Sequence, residues 1–337
     1  MDSGDFARSE SRVASLRLRA YRGEADLPAM VEVANASMGA DGMESRRTLQ
    51  ELQRNYASLT NCDPATDMVM AEVDGALVGY ARGWWWTDLD GAMLLGQIAF
   101  VLPAFRRRGI GTAMQEWLEQ RQREIAAGHP APAHWHHVFV TGREVARAAL
   151  LRRSGYAPVR EFLMMSRPTL DDIPEIPLPA GFEVRPVRPE HHRAIWQAHM
   201  EALQDHWGMQ PPTEENFQSW LKSPTFQPEL WQIAWDIETG QVAGQVKPYI
   251  DAANNAMFGR QRGWTEFISV GRPWRRRGLA RALVMRALRA QRDAGMTESA
   301  LGVDGESRYG AVQLYEQCGF RVGERNCVYR KGVVAGG

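Results

Sequence analysis

Lysine is nearly missing from this 337-residue chain: of 40 basic residues, only Lys222, Lys247 and Lys331 are not arginine. A GC-rich genome would leave that mark, and so would a phosphate-bearing ligand, which arginine's planar fork grips in two places at once. Cysteine is equally scarce. Cys62, Cys318 and Cys327 are odd in number and far apart, which excludes a disulfide framework and gives no zinc-ligand spacing. The expected compartment is a reducing cytoplasm. Net charge is missing as well, since 40 acidic residues cancel the basic ones, and no whole-molecule field draws the protein to nucleic acid or an anionic membrane. Nor is there a long apolar run. The longest, Ala92 to Phe105, is broken by Gly96, Gln97 and Pro103 and falls short of the roughly 18 residues a membrane helix needs. Residues 1–14 are polar, lack the apolar core of a signal peptide, and read as a leader.

What the sequence does have is a repeat. FRRRGIG at Phe105–Gly111 recurs as WRRRGLA at Trp274–Ala280, a shift of 275 − 106 = 169 residues. Each copy opens a segment of helical period. Ile110, Ala113, Met114, Trp117 and Leu118 share one face of the first, and Leu279, Ala282, Leu283 and Ala287 one face of the second. Gly128 and Gly295 stand at the expected helix ends. Ahead of each loop lies a strand–turn–strand pattern, turning at Asp74-Gly75 in one half and Thr239-Gly240 in the other. Behind each helix comes an apolar strand, HWHHVFV or ESALGV, then a short helix closed by a glycine–aromatic pair. RPTLDDIPEIPLPAG, with four prolines between Pro168 and Pro179, reads as a stiff linker. The pattern predicts an α/β (α+β) chain of two similar domains, at 15–167 and 181–333, joined by a linker at 168–180.

A strand, a basic glycine loop and a helix start together hold phosphate well. The first helical N–H groups have no partner within the helix and lie at the positive end of its dipole. Gly109 and Gly111, or Gly278 and Ala280, let phosphate oxygens approach, and arginine adds charge-assisted bonds. A single arginine cluster would be a solvated patch; two copies in matching contexts argue for a shared ligand. Neither a P-loop nor the dinucleotide fingerprint fits, since no Lys-Ser or Lys-Thr and no third glycine follows.

The loop resembles the acyl-CoA pyrophosphate loop of the GCN5-related N-acetyltransferase (GNAT) superfamily. Arg275, Gly278 and Ala280 fill its pattern in one half, and Arg106, Gly109 and Gly111 in the other. LGVDGESRYGAVQLYEQCGF at Leu301–Phe320 is similar to the family's second signature, with Ser307 standing for its usual asparagine. The resemblance implies two tandem GNAT-like domains, each a mixed, mostly antiparallel sheet flanked by helices. It implies acetyl-CoA, or another acyl-CoA, as co-substrate and no metal. Donor contacts fall to Ser269, Val270, Arg275, Arg276, Arg277, Gly278, Leu279, Ala280, Arg281 and Ser307. In the first half they fall to Val101, Arg106, Arg107, Arg108, Gly109, Ile110, Gly111 and Thr112.

Acyl transfer to an amine needs a base for the ammonium and an acid for the departing thiolate. The family's thiolate-protonating tyrosine maps to Tyr315, and Glu266 stands in the strand before the second loop as candidate base. Their counterparts, Leu151 and Gln97, can do neither task. The second half is thus the expected catalyst, acting on the amine of an unidentified small molecule. A non-catalytic acyl-CoA sensor is the alternative. No nucleic acid or membrane partner is expected, and the chain is a monomer or homodimer.

Overall fold

The computed structural model describes residues 15–204, 206–307 and 309–333; the expected leader lies outside them. The first half of the chain begins with β1 (Leu16–Arg19), α1 (Leu27–Ala40), α2 (Leu49–Tyr56), β2 (Met68–Val73) and β3 (Ala76–Thr87). It continues with β4 (Met93–Val101), α3 (Ile110–Ala127), β5 (His134–Val140), α4 (Val145–Arg153) and β6 (Ala157–Arg167). The second half repeats this order with a strand and a helix inserted and one strand split in two. It opens with β7 (Phe182–Val184), α5 (His192–Ala202), α6 (Glu214–Leu221), β8 (Gln232–Asp236), β9 (Val242–Val246), β10 (Tyr249–Ile250) and α7 (Ala252–Phe258). It closes with β11 (Arg262–Trp264), β12 (Ser269–Val270), α8 (Leu279–Asp293), β13 (Glu298–Asp304), α9 (Ala311–Gln317) and β14 (Arg321–Gly332).

These elements form two compact units. The first runs to Val159 and resumes at Cys327; the second is Arg160–Asn326. The division differs from the ranges 15–167 and 181–333 at two strands. Most of β6 pairs antiparallel with β13, through Phe162↔Asp304 to Arg167↔Ser299, and belongs to the second unit. The last half of β14 pairs antiparallel with β5, through Cys327↔Val140 to Gly332↔Trp135, and belongs to the first. Each sequence repeat therefore gives its final strand to the unit built mainly by the other. The proline-rich stretch 168–180 is not a free spacer either. Leu170 is buried in the second unit's core, and Ile173, Ile176 and Leu178 pack against it.

Within the first unit the sheet order is β1-β2-β3-β4-β5-β14, antiparallel except for β4 with β5. Asp74 and Gly75 take φ of 50° and 80°, the conformation a two-residue hairpin requires. The period-two alternation of β2 sends Met68 and Met70 to a core with α1, and Val69 and Ala71 to a core with α3. The second unit is built alike. Leu279, Leu283, Val284 and Leu288 of α8 pack with Ala234, Ala243 and Leu301, while Ile195 of α5 packs with Trp231, Ile233 and Trp235 on the other face.

One irregularity recurs. β4 runs parallel to β5 only as far as Gly96↔His137, and β11 parallel to β13 only as far as Trp264↔Ala300, with Thr265 N–H donating to the Ala300 carbonyl just beyond. Past those points the strands part and open a wedge. β12 turns instead to β9, pairing Ser269 with Gln245 and Val270 with Gly244.

The exchanged end of β14 is fastened by Lys331, whose Nζ donates to Glu119 Oε2 at 2.7 Å on the buried side of α3. Lys331→Ala leaves the buried Glu119 carboxylate to Gln115 Nε2 at 3.2 Å and Arg123 at 3.9 Å, and is expected to lower stability by about 1.5–3 kcal/mol in urea unfolding, the worth of a hydrogen bond to a charged group.

Candidate active site

The second arginine loop and its wedge border a cleft of about 690 Å³ in the second unit. Its floor is the start of α8. Gly278 caps that helix at φ 82°, in the left-handed region glycine favours, and no side chain occupies the cap. The first N–H groups of α8 are thus left to the cleft, which Gly278, Leu279, Ala280 and Arg281 line. Arg276 also holds a positive φ, 63°, matched by Arg107 at 63° and Gly109 at 90° in the first unit. The two loops share one backbone conformation at the same 169-residue shift.

The three arginines point in different directions. Arg275 lines the cleft but turns inward: its Nε donates to the Val270 carbonyl at 3.0 Å, its Nη2 to the Ala202 carbonyl at 3.1 Å, and its guanidinium lies 4.5 Å from the Tyr309 ring. Arg276 lines the cleft. Arg277 does not; it lies over Phe182 at 4.5 Å and reaches the Ala180 carbonyl. Ser269, Val270 and Ser307 line the walls, with Ala311, Leu314 and Tyr315 of α9. Tyr309, half-exposed at the cleft, went unnoticed in the sequence because nothing periodic marks it.

Tyr315 and Glu266 meet electrostatically. The Tyr315 hydroxyl is pushed upward by burial first and by the Glu266 charge second, so it keeps its proton at neutral pH. Glu266 lies in the wedge, half-buried, where its Oε1 accepts from Gly302 N–H at 2.8 Å. Loss of solvent raises its pKa to about 7 against the opposing effect of that bond. One carboxyl able to take a proton and one hydroxyl able to give one are the two groups amine acylation needs.

Comparison with known proteins agrees with this geometry. A family model described as Acetyltransferase (GNAT) family matches residues 192–320, and one described as Acetyltransferase (GNAT) domain matches 64–158. A mycothiol acetyltransferase of Thermobifida fusca is 30% identical over 68% of this chain and 72% of the relative. This chain belongs to the GNAT acetyltransferase family. The mycothiol acetyltransferase of Salinispora tropica is 29% identical over 91% of this chain and 93% of its own. Among solved structures, a GCN5-related N-acetyltransferase from Sphaerobacter thermophilus superposes with a TM-score of 0.73 at 29% identity, covering 95% of this chain and 96% of that one. A tandem GNAT protein from the clavulanic acid biosynthesis pathway shares the fold, with a TM-score of 0.67 at 15% identity over 96% and 100% of the two chains. The protein is a tandem GNAT N-acetyltransferase.

The GNAT domain of the first unit keeps its loop, which borders a smaller cleft of about 240 Å³. Val101, Arg106, Arg107, Gly109, Gly111 and Thr112 line it, whereas Ile110 is in the core and Arg108 lies over Phe105 at 5.2 Å. Arg106 is clamped by Asp41, at 2.6 and 2.8 Å, and by Ser37 Oγ at 2.8 Å. Arg147 of α4, also unremarked in the sequence, stands where Ala311 stands in α9 when Gly155 is aligned with Gly319. Its buried guanidinium donates to the Gln97 carbonyl at 3.2 Å, across the mouth of the wedge. Leu151 is packed with Val138, Val140 and Tyr156, and Gln97 Nε2 donates to the Tyr156 hydroxyl at 3.3 Å.

A Cβ at Gly278 would meet nothing within 4 Å, so Gly278→Ala tests backbone conformation alone. It is expected to cost about 1–2 kcal/mol in thermal or urea unfolding, the penalty of an L-residue held left-handed.

Proposed function

We propose that the second unit acetylates the amine of a small molecule, with acetyl-CoA as donor, by direct transfer. The observation that carries this reading is the convergence of the Glu266 carboxyl and the Tyr315 hydroxyl beside a cleft whose floor is an uncapped helix start. The relatives' activity as mycothiol acetyltransferases supports a small-molecule acceptor.

Acetyl-CoA supplies the acetyl group as a thioester. The N–H groups of Leu279, Ala280 and Arg281 bind its diphosphate, with Arg276 and Arg281 adding charge. Arg275 ties the loop to Val270 and to α5, and Arg277 ties it to Phe182; both hold the loop in shape. Backbone groups of Ser269 and Val270, freed by the wedge, orient the pantetheine arm, and Ser307 flanks it. Glu266 takes the ammonium proton, directly or through a water. The neutral amine nitrogen then bonds to the carbonyl carbon, the carbon–sulfur bond breaks, Tyr315 gives its proton to the departing sulfur, and the proton shed by the nitrogen as it becomes an amide returns to Tyr315 through water. In the first unit Arg147 occupies the space the pantetheine arm needs, so that loop serves structure.

Tyr315→Phe is expected to lower kcat at least about tenfold, a floor below the roughly 10²–10⁴-fold typical of acid–base assistance, while isothermal titration shows acetyl-CoA still bound. With Glu266 titrating at about 7, kcat should rise with pH to about 7 and level off above. Glu266→Gln should flatten that limb and cost about 100-fold. Titration should give one acetyl-CoA per wild-type chain and approach two for Arg147→Ala. Two sites in the wild type would show that Arg147 does not seal the first.

A further inference from the structure

On the face of β9 and β12 turned toward α5 lies a buried cation that the reaction above does not use. Lys247 is 2% exposed. Its Nζ is enclosed by the rings of Trp220, Phe267 and Trp231, at 5.0, 5.2 and 5.8 Å. Among the described residues no carboxylate lies within ion-pair distance of it. Rings recover part of the cost of burying an ammonium, but an uncompensated buried charge remains expensive. The site therefore holds lysine near neutrality, its pKa lowered to about 7 by burial alone.

The neighbours point to an anion. Trp231 Nε1, a second donor bordering the box, is buried and gives its proton to no described group. His199 of α5 faces Lys247 and is held well below its ordinary pKa by burial, then by the Lys247 charge and by His206, so it adds no charge of its own. Gln245 donates to the Ile195 carbonyl through Nε2, at 3.1 Å, and its buried Oε1 has no described partner. Two unanswered donors, one of them cationic, and no acid form a receptor for a carboxylate.

Its position makes the acceptor the occupant. Lys247 N–H donates to the Glu266 carbonyl at 3.0 Å, so the lysine sits on the same strand pair as the proposed base. His199 Nδ1 is 3.0 Å from Ser269 Oγ, which lines the donor cleft. An amine that reaches the thioester beside Glu266 would carry the remainder of its molecule toward this face. Phe267 walls the box from outside; it is 40% exposed and holds a φ of 52°, a strained conformation for a residue with a side chain.

We propose that the acceptor is an amino acid-like amine whose carboxylate is received by Lys247 within the box of Trp220, Trp231 and Phe267. This assignment rests on the acetyl-transfer reading for its occupant, yet the anion site can be tested apart from it. With three lysines in the chain, lysine labelled with ¹³C at Cε gives three signals, and the one lost in Lys247→Met belongs to the site. α-Amino acids should shift that signal and raise its titration midpoint, while the matching decarboxylated amines should leave it in place. In assays with acetyl-CoA, wild-type kcat/KM should favour the amino acids at least tenfold. Lys247→Met should erase that preference and hold the simple amines within twofold. KM for the amino acids should climb as pH passes 7 and the lysine loses its charge.

A Lys247 signal indifferent to every carboxylate, or a variant impaired equally on both amine classes, would overturn the proposal. If the signal responds but no amine is acetylated, the acetyl-transfer reading fails and the carboxylate site stands.

Discussion

The chemistry of this chain depends on two strands that stop pairing. A parallel ladder satisfies every backbone group it includes, and a continuous one would leave nothing for a ligand. By parting after Trp264↔Ala300, the second unit frees carbonyl and N–H groups inside the protein, where they demand partners. Glu266 answers one of them, the Gly302 N–H. In doing so it is drawn into surroundings dry enough to lift its pKa into the range where a carboxylate is a useful base. The same gap admits Tyr315 from α9. Sheet geometry, carboxyl basicity and access to the thioester are consequences of one interrupted ladder.

The first unit shows the same frame carrying different side chains. Its strands part at the corresponding place and its loop keeps the left-handed residues Arg107 and Gly109. The backbone was preserved because α3 must still start there and cover Val69, Ala71 and Val78. Side chains were not so bound. Where the second unit leaves a small residue, Ala311, the first has grown Arg147, whose guanidinium satisfies the Gln97 carbonyl that a ligand would otherwise meet.

Much of this was legible beforehand, and for identifiable reasons. The arginine loops were visible because glycine at a positive φ is a local demand written in the sequence, and because two copies sat 169 residues apart. The helices and hairpins followed from periodicity and turn residues. The pair Tyr315 and Glu266 emerged by contrast with Leu151 and Gln97, a signal only a repeat supplies. What stayed hidden is non-local. No property of β6 or β14 states which sheet each joins, since an apolar alternating strand fits either edge. The prolines of 168–180 announce an irregular path but not that Leu170 and Ile176 cover a core. Three adjacent arginines look alike until the fold turns Arg277 onto Phe182 and Arg275 onto Val270. Arg147 passes for a surface residue of a short helix, and Lys247 for a solvated strand end, because burial by distant rings leaves no mark nearby.

The crossed ownership of β6 and β14 bears on how such a chain can evolve. Shortening the gene at the proline-rich stretch would yield a second half deprived of Arg160–Arg167, the strand that lies along β13. The bare edge would expose a row of peptide groups on the very sheet that carries Gly302. The first half therefore matters to the second whether or not it binds anything, since it owns a piece of its sibling's scaffold. Divergence inside its cleft is free, while deletion is not.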